Sequence, residues 1–173
     1  MNRAITSSIL LLLASIFMAG CGEKRPGGMP KLYPVSIIVM QEGTPLEGAL
    51  VQLVSEDRAN VMWGPGGTSN ASGVAVLHTN GTYKGVPLGK YKVTVEKRVK
   101  ESHPNPELAT GGPRTPEFAK YLEISRNLKT YSYVEPQYGS VANTPLFVEI
   151  TAKEKTYTID AGKQIKTESK VLF

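Results

Sequence analysis

The chain has 173 residues, 40% of them hydrophobic and 20% charged, the composition of an ordinary globular protein with room for about one domain. Lys and Arg number 20 against 15 Asp and Glu, a net charge of +5, and they are spread along the chain, so no nucleic-acid partner is expected. The 17 Gly and 12 Pro, against 4 Phe and 1 Trp, cut the chain into short elements; this disfavours a long helical bundle and points to an all-β fold.

The first element in chain order is an address. Met1-Asn2-Arg3 supplies a positive charge, Ile9 to Phe17 an apolar run, and Met18-Ala19-Gly20-Cys21 a small-residue exit. This is the order of a secretory signal peptide, and the run is too short for a spanning helix with proper flanks. Met18 to Cys21 resembles the bacterial lipobox, in which an apolar residue and two small ones precede a Cys that is lipidated and becomes the mature N-terminus. Met18 stands where Leu is more usual. The resemblance implies cleavage between Gly20 and Cys21, acyl chains of the palmitate type on Cys21, and a membrane partner reached through that anchor in the bacterial cell envelope. Gly22, where inner-membrane lipoproteins carry Asp, resembles the outer-membrane class. The competing reading is a plain signal peptide cleaved nearby, but the single Cys of the chain falls where the lipobox needs it. With no second Cys, stability must come from the core.

Residues 21–33 are expected to be the lipidated Cys and a flexible tether, since Gly22 to Lys31 carries almost nothing apolar and includes Pro26-Gly27-Gly28 and Pro30. A domain over 34–162 follows. Val35 to Met40 predicts a strand buried along most of its length. After the turn cluster Gly43 to Gly48, a second strand alternates Ala49, Val51 and Leu53 with Leu50, Gln52 and Val54, and the two strands are expected to form a hairpin. A third strand is expected near Asn60 to Trp63, before the Gly64-Pro65-Gly66-Gly67 break. Asn70-Ala71-Ser72-Gly73 predicts a tight turn into a strand over Val74 to His78. Val86-Pro87-Leu88-Gly89 turns the chain into its cleanest alternation, with Tyr91, Val93 and Val95 inward and Lys92, Thr94 and Glu96 toward water.

Between residues 100 and 144 the strand pattern stops. An irregular Pro- and Gly-rich run leads to Thr115-Pro116-Glu117, which has the form of an N-cap, an N1 proline and a first-turn acid. Apolar spacing predicts a short helix from Pro116 to Asn127. An insertion this long is more often functional or mobile than filler. Leu146, Val148 and Ile150 then form one alternating face and Tyr157 with Ile159 another. The polar tail, 163–173, is expected to fray. Six or seven short strands in all indicate an antiparallel sandwich.

Gly43-Thr44-Pro45-Leu46-Glu47-Gly48-Ala49, then Asn70-Ala71-Ser72-Gly73, then Pro87-Leu88-Gly89-Lys90-Tyr91-Lys92-Val93-Thr94-Val95 together resemble the carboxypeptidase regulatory-like, transthyretin-like domain. Asn70 replaces the usual Asp. The likeness covers Val35 to Val95 by motif and Leu146 to Asp160 by pattern. It implies a transthyretin-like or Ig-like sandwich of about seven strands, here with a helix-bearing insertion, and usually without catalytic residues. The motifs are structural, so they identify fold better than function.

Site chemistry is sparse. His78 and His103 are the only histidines and Asp57 and Asp160 the only aspartates, so few ligands exist for a metal cage, and no metal or other cofactor is expected. The transthyretin-like fold also carries intradiol dioxygenases, with iron held by two Tyr and two His, but no such spacing is recognisable here. The related 5-hydroxyisourate hydrolases end in Tyr-Arg-Gly-Ser, whereas this chain has an internal Tyr138-Gly139-Ser140 and ends in Lys170-Val171-Leu172-Phe173. There is no Gly-x-Ser-x-Gly elbow. Lys90 and Lys92, with Lys97, Arg98 and Lys100 beyond them, form either a solvated edge that resists aggregation or a contact for anionic head groups and cell-wall polymers. Trp63, Tyr131, Tyr133 and Tyr138, placed in loops, either stack on a sugar or partner or cover the open end of the sandwich, and the covering role is preferred. The sequence therefore predicts a lipid-anchored, non-enzymatic binding or structural module whose partner is an envelope protein or polysaccharide. A carbohydrate-binding domain using Trp63 and the insertion is the rival, and a metalloenzyme the remoter one.

Overall fold

Residues 25–169 are described by the computed structural model. Gly20, Cys21 and the rest of the leader lie outside them, as do residues 170–173. Arg25 to Gly28 are exposed, but Leu32 is buried, and Tyr33 and Val86 exchange two backbone hydrogen bonds of 2.9 Å. Among the described residues, Leu32 is thus the first that is buried.

The first sheet is built on β1 (Ser36–Gln41). It pairs in parallel with β12 (Thr156–Asp160) and antiparallel with β2 (Thr44–Pro45) and β5 (Val74–Val76). The second sheet has six strands in the order β11 (Phe147–Ile150), β8 (Gly89–Glu96), β3 (Leu50–Ser55), β4 (Pro65–Thr68), β6 (His78–Thr79) and β7 (Tyr83–Lys84), all neighbours antiparallel. The molecule is an all-β, mostly antiparallel sandwich. Ile37, Val39, Ala75 and Ile159 of the first sheet meet Val51, Leu53, Tyr91, Val93, Val95, Val148 and Ile150 of the second in one core.

Several expectations are corrected. β1, expected to be buried along most of its length, alternates: Ile37, Val39 and Gln41 are buried and the residues between them half-buried. β1 and β3 do not form a hairpin, because the 43–48 turn carries the chain from one sheet to the other. Ser69 fixes that crossing, its hydroxyl donating to Leu46 O at 2.5 Å and accepting from Ala49 N–H at 2.8 Å. Residues 60–63 form no strand. Arg58–Asn60 is a helical turn capped by the Asp57 carboxylate, and the strand is β4, inside the supposed glycine break. Val74 to His78 splits into β5 and β6 in different sheets, with buried Leu77 between them.

The Asn70 turn is present. The Asn70 Oδ1 accepts from Ser72 N–H and Val74 N–H, and Gly73 has φ 75°. Thr94, expected toward water, is 4% exposed. On its face of β8, Lys92 Nζ donates to Val141 O at 3.1 Å and Glu96 lies against Gly139, so the 139–141 segment passes over the threonine between them.

The insertion contains the predicted helix, α1 (Pro116–Asn127), with Thr115 Oγ1 accepting from Phe118 N–H. It also contains β10 (Thr130–Ser132), which pairs with β9 (Arg98–Lys100) and β13 (Thr167–Glu168) in a small third sheet. Tyr131 is therefore on a strand, and the described part of the tail expected to fray is paired at Thr167–Glu168.

Candidate functional site

The register of the six-stranded sheet shows what its outer face presents. Val51, Leu53, Tyr91, Val93 and Val95 point into the core, so the alternate positions face out. One outer row runs Phe147, Lys92, Val54; another runs Thr94, Gln52, Gly66, His78; a third runs Glu96, Leu50, Thr68. Lys90 pairs with Glu149 on the same face. Phe147 is 56% exposed, and Leu50 and Val54 are exposed too. Lys92 Nζ lies 5.7 Å from the Phe147 ring centre, in cation–π contact.

The middle of this face is hollow along β4. Its register places Gly66 between Gln52 and His78. One step along, Gly64 and Asn80 hold each other: Asn80 N–H donates to Gly64 O at 2.9 Å, and Gly64 N–H to Asn80 Oδ1 at 3.1 Å. Two successive outward positions thus lack side chains. Leu50, Gln52 and Val54 wall one side, His78 and Asn80 the other, around about 560 Å³, a volume within the roughly 300–1,000 Å³ range of ligand sites. The two glycines have different structural excuses. A Cβ on Gly66 would sit 3.0 Å from Val51 O, whereas one on Gly64 would meet nothing, and Gly64 has no positive φ.

The predicted contact residues do not converge. Lys90 and Lys92 lie on the outer face, with Lys90 exposed and Lys92 half-buried and engaged by Val141 O and Phe147. Trp63 is 8% exposed, which leaves its indole little face on which to stack a sugar. Tyr138 packs against the core, beside Gly162. Tyr133 carries Lys97 Nζ at 5.7 Å from its ring centre. Tyr131 donates its hydroxyl to Glu101 Oε1 at 3.1 Å and carries Lys166 Nζ at 4.6 Å. Tyr138 thus covers the core and Trp63 is buried apart from the main core cluster, while Tyr131 and Tyr133 brace the third sheet.

Ion pairs and hydrogen bonds tune that third sheet. The Lys129 backbone N–H first, then the Tyr131 hydroxyl, hold the Glu101 carboxyl below the usual carboxylate range. The Glu168 carboxylate, 2.8 Å from Lys129 Nζ, raises that amine, and the bond to Glu101 raises the Tyr131 hydroxyl. A smaller cleft of about 260 Å³ lies between this sheet and β8, lined by Glu96, Arg98, Glu135 and Glu168 among others, with Arg98 paired to Glu96 at 3.2 Å.

His78 faces out of β6, its Nδ1 at 3.3 Å from Val76 O. His103 accepts from Asn105 N–H at Nδ1, which makes Nε2–H the donor to Tyr121 O at 3.1 Å, and its ring stacks on Tyr121 at 4.3 Å. It is a strut between the loop and α1. Among the described residues no three His, Cys, Asp or Glu side chains cluster in a metal-holding group, and no helix is long and apolar enough to cross a membrane.

Sequence reasoning missed Phe147 and the trench. The alternation of Leu146, Val148 and Ile150 already turned Phe147 outward. The trench had only glycines for a signal.

No protein-family model matches the chain, and no curated protein matches it. A solved structure described as a putative adhesin from Bacteroides ovatus ATCC 8483 is similar at 12% identity and a TM-score of 0.38. The likeness covers 85% of this chain and 49% of that one, so the chain spans about half that protein's length. It is too distant to carry an inference about function.

Proposed function

We propose that the chain is a cell-envelope lipoprotein: a secretory leader removed before Cys21, an acylated Cys21, a short tether, and a non-catalytic β-sandwich that binds or braces an envelope component. The observation that carries the reading is the open outer face of the six-stranded sheet. Phe147, Leu50, Val54, Lys90 and the trench along β4 stand there uncovered by any described segment, and exposed apolar groups rimmed by polar ones mark interaction surfaces. The Met18-Ala19-Gly20-Cys21 motif supports the anchor, and the outer membrane is the favoured address.

The anchor is tested by expressing the full chain and its Cys21→Ala variant in a bacterial host with tritiated palmitate and separating membrane from soluble fractions. Label and membrane partition are expected for the native chain, and both are lost in the variant. An unlabelled native chain, or a labelled variant, overturns the lipoprotein reading. The binding half is tested with a photo-crosslinking residue at Phe147, expected to capture an envelope protein or polysaccharide; an equal yield from a probe at Glu123 on α1 would contradict it.

A further inference from the structure

We propose that the trench along β4 is a binding site for a neutral oligosaccharide chain, a deepening of the binding-module reading on which it rests. Three observations lead there. The first is the absence of charge: the lining contains no Lys, Arg, Asp or Glu, and His78 is its only titratable side chain. The charged residues of the same face, Lys90, Lys92, Glu96 and Glu149, stand beyond β3 on β8 and β11, with Glu96, opposite Leu50, already paired to Arg98. An anionic head group or polymer would find no countercharge in the trench, where a neutral ligand loses nothing.

The second observation is the kind of polar group present. Gln52 and Asn80 bring amides, and His78, with Nδ1–H given to Val76 O, keeps Nε2 as an acceptor. Leu50 and Val54 add aliphatic surface between them. Sugar rings present hydroxyls around a C–H face, and this mixture of donors, acceptors and aliphatic carbon matches both. A peptide docking as an added strand needs unpaired backbone groups. Here the floor strand is already hydrogen-bonded on both sides, to β3 and to β6, so recognition must come from side chains.

The third observation is the glycine that the fold does not require. Gly67 faces inward, where a Cβ would collide with Val76 O, and its identity follows from packing. Gly64 has ordinary backbone and open space around it, so any residue would fit, and only the trench gains from its bareness. Gly64 stands immediately before β4, and a residue without a side chain there lets a ligand approach the backbone closely.

The test is isothermal titration of the full chain in detergent with cellohexaose, mannohexaose, maltohexaose and the hexamer of N-acetylglucosamine, and with a Gly-Ser hexapeptide. Saturable binding to at least one hexasaccharide is expected. Gly64→Leu fills open space, so it should keep the native melting temperature while weakening binding by at least about tenfold, a loss of about 1.4 kcal/mol. Gln52→Ala should weaken it in the same direction. Glu123→Leu, which adds the same apolar bulk to α1, should change nothing. No binding to any of the four sugars at millimolar concentration, binding unchanged by Gly64→Leu and Gln52→Ala, or preference for the peptide would each overturn the proposal. Shortening of a bound sugar, read by chromatography, would instead overturn the non-catalytic reading while Gly64→Leu still decides the site.

Discussion

Tyr91 is fully buried in β8, and its hydroxyl donates to Pro87 O at 2.9 Å, so the ring fills the core while its polar atom is satisfied. Burial first, and the nearby Asp57 charge second, push this hydroxyl up to about 12. An unfolded tyrosine ionises near pH 10, so above that the unfolded chain releases a proton that the fold retains. Its contribution to stability is whole below about pH 10 and falls by about 1.4 kcal/mol per pH unit until the folded hydroxyl ionises too. Tyr91→Phe should cost about 1 kcal/mol at pH 7 by removing the hydrogen bond and should flatten the alkaline loss; urea midpoints from pH 7 to 11 check both. The glycines of β4 make a matching contrast. Gly67→Ala drives a methyl into the Val76 carbonyl and should destabilise by about 1–3 kcal/mol, whereas Gly64→Ala should be within about 0.5 kcal/mol of native.

At the scale of elements, the third sheet is the part held chiefly by exposed polar contacts. Glu101 braces β10 through Lys129 N–H and the Tyr131 hydroxyl, and Lys129 reaches Glu168 on β13. A carboxyl held low supports the fold above its ordinary range and stops doing so as acid protonates it. An amine held high supports it below the ordinary lysine range and stops as alkali deprotonates it. The amides of Lys129 and Ser169 should therefore lose protection as the pH falls below the ordinary carboxylate range, and again at strongly alkaline pH, while Val93 in the core keeps its protection in acid; hydrogen exchange corrected for intrinsic rates checks this. Elements with side-chain periodicity were legible in the sequence: β8 shows its core face in Tyr91, Val93 and Val95, and α1 announces itself by Thr115-Pro116-Glu117. β4 was not, because a Pro-Gly-Gly-Thr strand has too few side chains to alternate. Nor were β10 and β13, whose two or three residues are strands only through their partners. Partner choice was equally hidden, since nothing local tells β1 that it runs parallel to β12, with Ser36 opposite Thr156. The candidate site shared this fate: alternation placed Lys90 and Lys92 on an outer face, but a trench defined by missing side chains emerges only once register aligns Gly66 between Gln52 and His78.

The whole molecule is two packed sheets to which the insertion and the tail must be fastened, and Gln41 does the fastening. It ends β1, is 5% exposed, and its Nε2 donates to Tyr133 O and to Lys163 O, each at 3.0 Å. One side chain thereby joins the first sheet to the segment following β10 and to the segment preceding β13. Beside it, Ala161 N–H donates to Met40 O at 2.8 Å, and Gln164 N–H to the Glu42 carboxylate at 3.1 Å, so the tail is laid along the end of β1. Removing the amide leaves two partly buried carbonyls without that donor, at a cost of about 1–3 kcal/mol each if water cannot reach them and less if it can. Gln41→Ala should accordingly lower stability by about 2 kcal/mol in urea unfolding. The same variant should raise exchange at Ser169 more than at Val93, because it frees the third sheet before it loosens the sandwich. Equal acceleration at both amides would mean that sandwich and insertion unfold as one unit, with Gln41 no more than another core residue.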